Sequence, residues 1–125
     1  MTKPKKPKLT KLAKRVRDPN SRYWLLRADA AWSRVIRSGG KCEICGQTKL
    51  LNAHHILPRE LLTWRHEPWN GLCLCARCHK WDPTVSPHLN PIWFERWLMT
   101  HRRADYTYAL LAWAAFALLA AYAYG

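Results

Sequence analysis

Apolar positions along the chain fall into blocks of different period. Trp24, Leu25, Ala28, Trp32, Val35 and Ile36 recur at close to helical spacing, which predicts a helix over residues 18–37 ended by Gly39-Gly40. Residues 50–57 form a short apolar run, interrupted by His54 and His55 and stopped by Pro58, and this is the pattern of a strand. Residues 59–69 have no clean period and read as an ordered loop with room for one helical turn. Residues 71–75 make a second short strand, and a helix containing His79 is expected to start around Cys75 to Arg77. Asn90 followed by Pro91 supplies a cap and a first-turn residue for a further helix through His101, with Phe94, Trp97 and Leu98 on its buried face. The class is α+β, and most of the eight tryptophans are spaced as core residues.

Two end segments stand outside this pattern. Residues 1–17 carry Lys3, Lys5, Lys6, Lys8, Lys11, Lys14, Arg15 and Arg17 with no acid, and Pro4 and Pro7 oppose an early helix, so a basic disordered arm is expected. No apolar stretch follows those charges before Asp18, which excludes a secretory signal there. Residues 102–125 form an apolar helix or tail, since no charged side chain lies between Tyr106 and Tyr124. Its first reading is a helix packed on the core or on a second subunit. Its length also suits a bilayer, with Arg102-Arg103 favouring a cytoplasmic near side, but eight alanines dilute the hydrophobicity and make an anchor the lesser reading. Between the ends lie an N-terminal helix over 18–40 and a central domain over 41–101.

Charge sharpens the picture. With 21 Lys+Arg against 8 Asp+Glu, the 125 residues carry +13, which points to a polyanionic partner. The length leaves room for one domain with tails and excludes a two-domain enzyme. A core this small calls for a staple.

The staple is legible in the cysteines. Without an export signal, thiols in a reducing, cytoplasmic compartment are more often metal ligands than disulfides. Cys42 with Cys45 and Cys75 with Cys78 form two CxxC pairs able to close a tetrahedral structural Zn²⁺ site, and Gly46 suits the first turn. Cys73 reads as a packed apolar residue.

The 29 residues between Cys45 and Cys75 exceed the spacing of a simple zinc ribbon, so something is inserted. The insert carries His54, His55 and Asn70, and His79 directly follows the last cysteine. Adjacent strand residues face opposite ways, so one histidine of the pair can bind a metal while the other takes a proton. A partly buried pair packed on Trp64 or Trp69 is the plain alternative.

This ordered set, from Cys42 through His54-His55-Ile56-Leu57-Pro58 to Asn70 and Cys75–His79, resembles the HNH endonucleases. The stretch from His79 through His88 to Leu98 also looks like small phage-encoded members. The resemblance implies a small ββα-metal core (the His-Me finger) stapled by the four-cysteine zinc site, with flanking helices. It implies His55 as the general base, Asn70 as a brace for the loop holding it, and His54 and His79 as ligands of a catalytic divalent ion, with Mg²⁺ or Mn²⁺ expected. Some members carry a third histidine one turn after the second ligand. Here that position is Pro83, and His88, the available substitute, reads rather as a capping or surface residue.

The expected activity is metal-dependent hydrolysis of DNA, by nicking or by double-strand cleavage in a homodimer. Arg59 is expected at the phosphate, and Lys5, Lys6, Lys8, Lys11, Lys14 and Arg15 along the backbone. The competing reading is a non-catalytic zinc-containing module that binds nucleic acid.

Overall fold

Proline sets where the first helix can begin. The computed structural model describes residues 7–124, so Lys3, Lys5 and Lys6 lie outside the described residues. Beyond Pro7, Thr10 caps helix α1 (Lys11–Arg17), its hydroxyl accepting from the Ala13 N–H at 3.1 Å. This corrects the expectation of an arm without regular structure. Once past the prolines, a capping threonine and a run of good helix formers outweigh the charge repulsion, which water screens.

The chain forms two units, Met1–Ala31 and Trp32–Gly125. In the first, Trp24 Nε1 donates to the Val16 carbonyl at 2.9 Å and Ser21 Oγ to that of Arg15 at 2.6 Å. Helix α2 (Arg22–Ile36) starts four residues later than expected, after the Asp18-Pro19 turn. A 3-10 turn, Arg37–Gly39, ends it where Gly40 takes φ 73°, a conformation that glycine adopts without strain.

The second unit is built on two antiparallel strands, β1 (Leu51–His55) and β2 (Gly71–Cys75), with His55 opposite Gly71 and His54 opposite Leu72. The loop between them closes with a 3-10 turn, Pro68–Asn70. After β2 comes a single π turn, Arg77–Trp81, in place of the full helix expected there. Pro83 disfavours helical geometry at Asp82, and the Asp82 carboxylate accepts from the Thr84 N–H and hydroxyl, which fixes a turn instead. Helix α3 (Pro91–His101) begins on the predicted cap, Asn90 accepting from the Trp93 N–H at 3.2 Å. Helix α4 (Arg103–Tyr124) follows.

Leu72 and Leu74 of β2 are fully buried and pack with Cys42, Cys78, Phe94 and Leu98. A second, thinner cluster joins Leu57 to Ala109 and Ala112 of α4. Each buried leucine stabilises by about 1.5–3 kcal/mol, so a core this short of large side chains leaves work for the cysteines. Of the eight tryptophans, Trp32 is buried and Trp64, Trp69, Trp93 and Trp97 pack partly buried against these clusters, whereas Trp24, Trp81 and Trp113 are exposed. Helix α4 packs on this chain through Ala109 and Ala112 and, near its start, through Tyr106 on the core and Tyr108 against Trp69, and most of its other large side chains are exposed.

Candidate metal centres and catalytic histidines

The sulfurs of Cys42, Cys45, Cys75 and Cys78 all lie within 4.8 Å of one another. The first pair sits on a tight knuckle, with the Gly46 N–H bonded to the Cys42 carbonyl at 2.9 Å and Gly46 at φ 77°. In the second, the Cys78 N–H points at Cys75 Sγ, 3.5 Å away. Burial opposes ionisation of Cys45, but a backbone hydrogen bond from Gln47 and the neighbouring thiols outweigh it and lower its pKa to about 7. Burial, joined by bonds to Cys45 and Cys75, pushes the Cys78 thiol up. Four converging sulfurs around a partly ionised thiol are a donor set that fits a tetrahedral metal ion. Cys73 is buried outside this group.

Strand alternation separates the two central histidines, as expected. His54 faces the π turn, its Nδ1 3.1 Å from His79 Nε2, and the edge of Phe94 packs beside it. His88 completes the cluster, its Nε2 3.2 Å from the same His79 atom. The three ligand nitrogens lie within 4.8 Å of one another. The sequence reading gave His88 a capping or surface role, yet the structure brings it to the ligand pair. Ser86 is the reason. It is fully buried, donates to the His79 carbonyl at 2.7 Å and accepts from the His88 N–H at 3.2 Å, so the turn after Pro83 folds back on itself.

Burial, together with His79, His88 and His55, lowers the His54 pKa to about 3. Burial, together with His88 and Lys80, lowers that of His79 to about 4. Both rings are therefore neutral at physiological pH, the form that ligates metal. His79 Nδ1 is buried without a hydrogen-bond partner among the described residues. Three imidazoles aimed at one another fit a divalent ion.

His55 faces the other way. Its Nε2 lies 2.9 Å from the Arg65 carbonyl, which can only accept, so Nε2 carries the proton and the neutral ring has its lone pair on Nδ1. Trp32 stacks on the ring with centroids 3.9 Å apart and planes 11° apart, and its own Nε1 is anchored on the Glu67 carbonyl at 3.0 Å. Trp32, not Trp64 or Trp69, is the packing partner. Asn70 is fully buried and clasps the intervening loop: Oδ1 accepts from the Leu57 N–H at 2.6 Å and Nδ2 donates to the Trp64 carbonyl at 2.9 Å. Arg59 is exposed on that loop, 3.7 Å from Glu60. Lys8, Lys11, Lys14 and Arg15 are exposed in the first unit.

Residues 42–81 match the HNH endonuclease family. The matched stretch holds both cysteine pairs, β1, β2, Asn70, His54, His55 and His79, and the antiparallel pair with its flanking helices is the small ββα-metal architecture. His88 lies beyond the match. No curated protein and no solved structure matches the chain. The family match implies a nucleic-acid substrate and nuclease chemistry with a divalent cation. Sequence reasoning missed Trp32, Arg65 and Ser86, because Trp32 acts through a contact distant along the chain, Arg65 through its backbone carbonyl and Ser86 through a turn that closes only in the fold.

Proposed function

We propose that this chain is a metal-dependent DNA endonuclease that hydrolyses phosphodiester bonds. One observation carries the reading: a single strand presents His55, with its tautomer fixed by the Arg65 carbonyl, and on the opposite face His54, grouped with His79 and His88.

In this reading His55 accepts a proton from the attacking water at Nδ1. The imidazolium so formed keeps its hydrogen bond to the Arg65 carbonyl and lies on the face of Trp32, whose π electrons favour the positive ring. Asn70 holds the loop from which that carbonyl projects. His54, His79 and His88 would hold a divalent ion, which would supply Lewis acidity at the phosphodiester. Three imidazoles suit Mn²⁺, Ni²⁺ or Zn²⁺ better than Mg²⁺, which prefers oxygen ligands. The four cysteines hold structural Zn²⁺. Arg59 and the cations of residues 8–17 neutralise phosphates, which makes binding salt-dependent and independent of sequence.

Supercoiled plasmid incubated with each ion in turn tests this. Conversion to the open-circular form by the native protein, lost in His55→Ala with DNA affinity retained, is the expected result. Equal behaviour of the two proteins, or no cleavage with any ion, favours the non-catalytic module and rejects the enzyme.

A further inference from the structure

Helix α4 presents a surface that neither metal centre uses. Among its residues only Ala109 and Ala112 are buried, and in its most apolar stretch only 6% of the residues are. Tyr108, Leu110, Leu111, Trp113, Phe116, Leu118, Leu119, Tyr122 and Tyr124 are all exposed. At 100° per residue these side chains surround the whole helix, with no polar face.

The choice of partner follows from that distribution. A second copy, or a groove on another protein, would cover one stripe and leave the opposite side in water. A hydrocarbon phase covers every side. The run from Tyr106 to Tyr124 has nineteen residues and no charge. At 1.5 Å per residue it is about 28 Å long, close to the roughly 30 Å of a bilayer's hydrocarbon core. Tyr106 and Tyr108 stand at one end and Tyr122 and Tyr124 at the other, where amphipathic rings favour the headgroup level.

The near end is also suited to a membrane surface. Arg102 and Arg103 precede the run, and Arg102 is bonded to Glu43 and Asp105, which ties the start of α4 to the folded domain. The contacts that insertion must release are the seam of Ala109 and Ala112 on Leu57, the ring contact of Tyr108 with Trp69 and, at the near end, the hydrogen bond from the Tyr106 hydroxyl to Glu95.

We propose that α4 inserts into a lipid bilayer and spans it, holding the domain at the surface on the side of Arg102 and Arg103. The probe is a phosphatidylcholine vesicle, whose zwitterionic surface gives the basic residues no net negative charge to bind. The full chain is mixed with these vesicles, floated on a density gradient, and washed with high salt and then alkaline carbonate.

The expected result is flotation that survives both washes, with at least a tenfold loss in L111D/L118D. Both positions are exposed, so the variant keeps the fold, and L111F/L118F floats as the native chain does. Release by salt or carbonate, or equal flotation of the charged variant, overturns the proposal. So does a detergent-free chain that stays monodisperse and ignores vesicles, whether as monomer or as dimer. Plasmid cleavage is read on the same samples and has no bearing on flotation.

Discussion

Trp32 lies flat on His55, the two rings 3.9 Å apart and nearly parallel, although 23 positions separate them in the chain. The stack limits the imidazole to one plane, and the Arg65 carbonyl sets its rotation within that plane. Trp32→Ala is expected to lower plasmid cleavage by at least tenfold and, as a large buried side chain, to cost about 3–5 kcal/mol of stability. Trp32→Phe restores an aromatic face without the Glu67 bond. Comparing kcat for the two at a temperature where both are folded separates positioning from stability.

Gly71 stands opposite His55 on β2, and a Cβ there would come within 2.7 Å of the Trp32 ring and closer still to Ile36. Gly71→Ala is expected to destabilise by about 1–3 kcal/mol through overpacking. It should also shift Trp32, so cleavage falls further than stability alone accounts for. Urea denaturation and a cleavage assay on the same sample check both parts.

Asn70→Ala leaves the buried Leu57 N–H without its partner, while the Trp64 carbonyl loses one of two donors and keeps the Glu67 N–H at 3.2 Å. The buried orphan costs about 1–3 kcal/mol. Asn70→Asp keeps the acceptor and loses the donor, so it should fall between the native chain and the alanine variant in thermal melts.

His54 and His79 titrate at about 3 and about 4 in the folded chain, below the ordinary value near 6.5 that the unfolded chain retains. Below that value the unfolded state binds more protons, so stability falls with pH. Their contribution is complete above pH 6.5 and is lost progressively toward pH 4. Melts across pH 4–7, with no divalent ion added, should show a decline that is shallower in His54→Asn. An equal slope in the two proteins counts against the assignment.

The two candidate metal sites should come apart under chelation. Loss of an ion from the three histidines is expected to stop cleavage and leave the melting temperature within a few degrees. Removing the ion from the four cysteines should unfold the second unit, because that site supplies folding free energy. Cys78→Ser, at a fully buried ligand, reproduces the second effect. Metal content and circular dichroism followed together during chelation distinguish them.

What the sequence made legible was set by local rules. The Asn90 cap, the strand over 71–75 and both CxxC knuckles depend on neighbours in the chain, and each formed where its residues indicated. The opposite facing of His54 and His55 follows from strand geometry alone. His88 was underweighted because its approach to His79 depends on Ser86, whose role appears only when the turn closes on it. The helix expected around His79 shrank to one turn because Pro83 acts backward on Asp82. Trp32 could not be paired with His55 from spacing, since the loop between the strands is held by an asparagine whose partners are backbone atoms.

Glu43 lies between the first two cysteines of the four-sulfur cluster, yet it serves β2. Its N–H bonds the Cys73 carbonyl, its carboxylate accepts the Cys73 N–H at 2.7 Å, and Arg102, paired with it, reaches the Gly71 carbonyl at 3.2 Å. A sheet of two strands would otherwise offer the outer rim of β2 to any extended peptide that came near. These contacts occupy that rim with groups from the chain itself, so it is guarded there against templating its own aggregation.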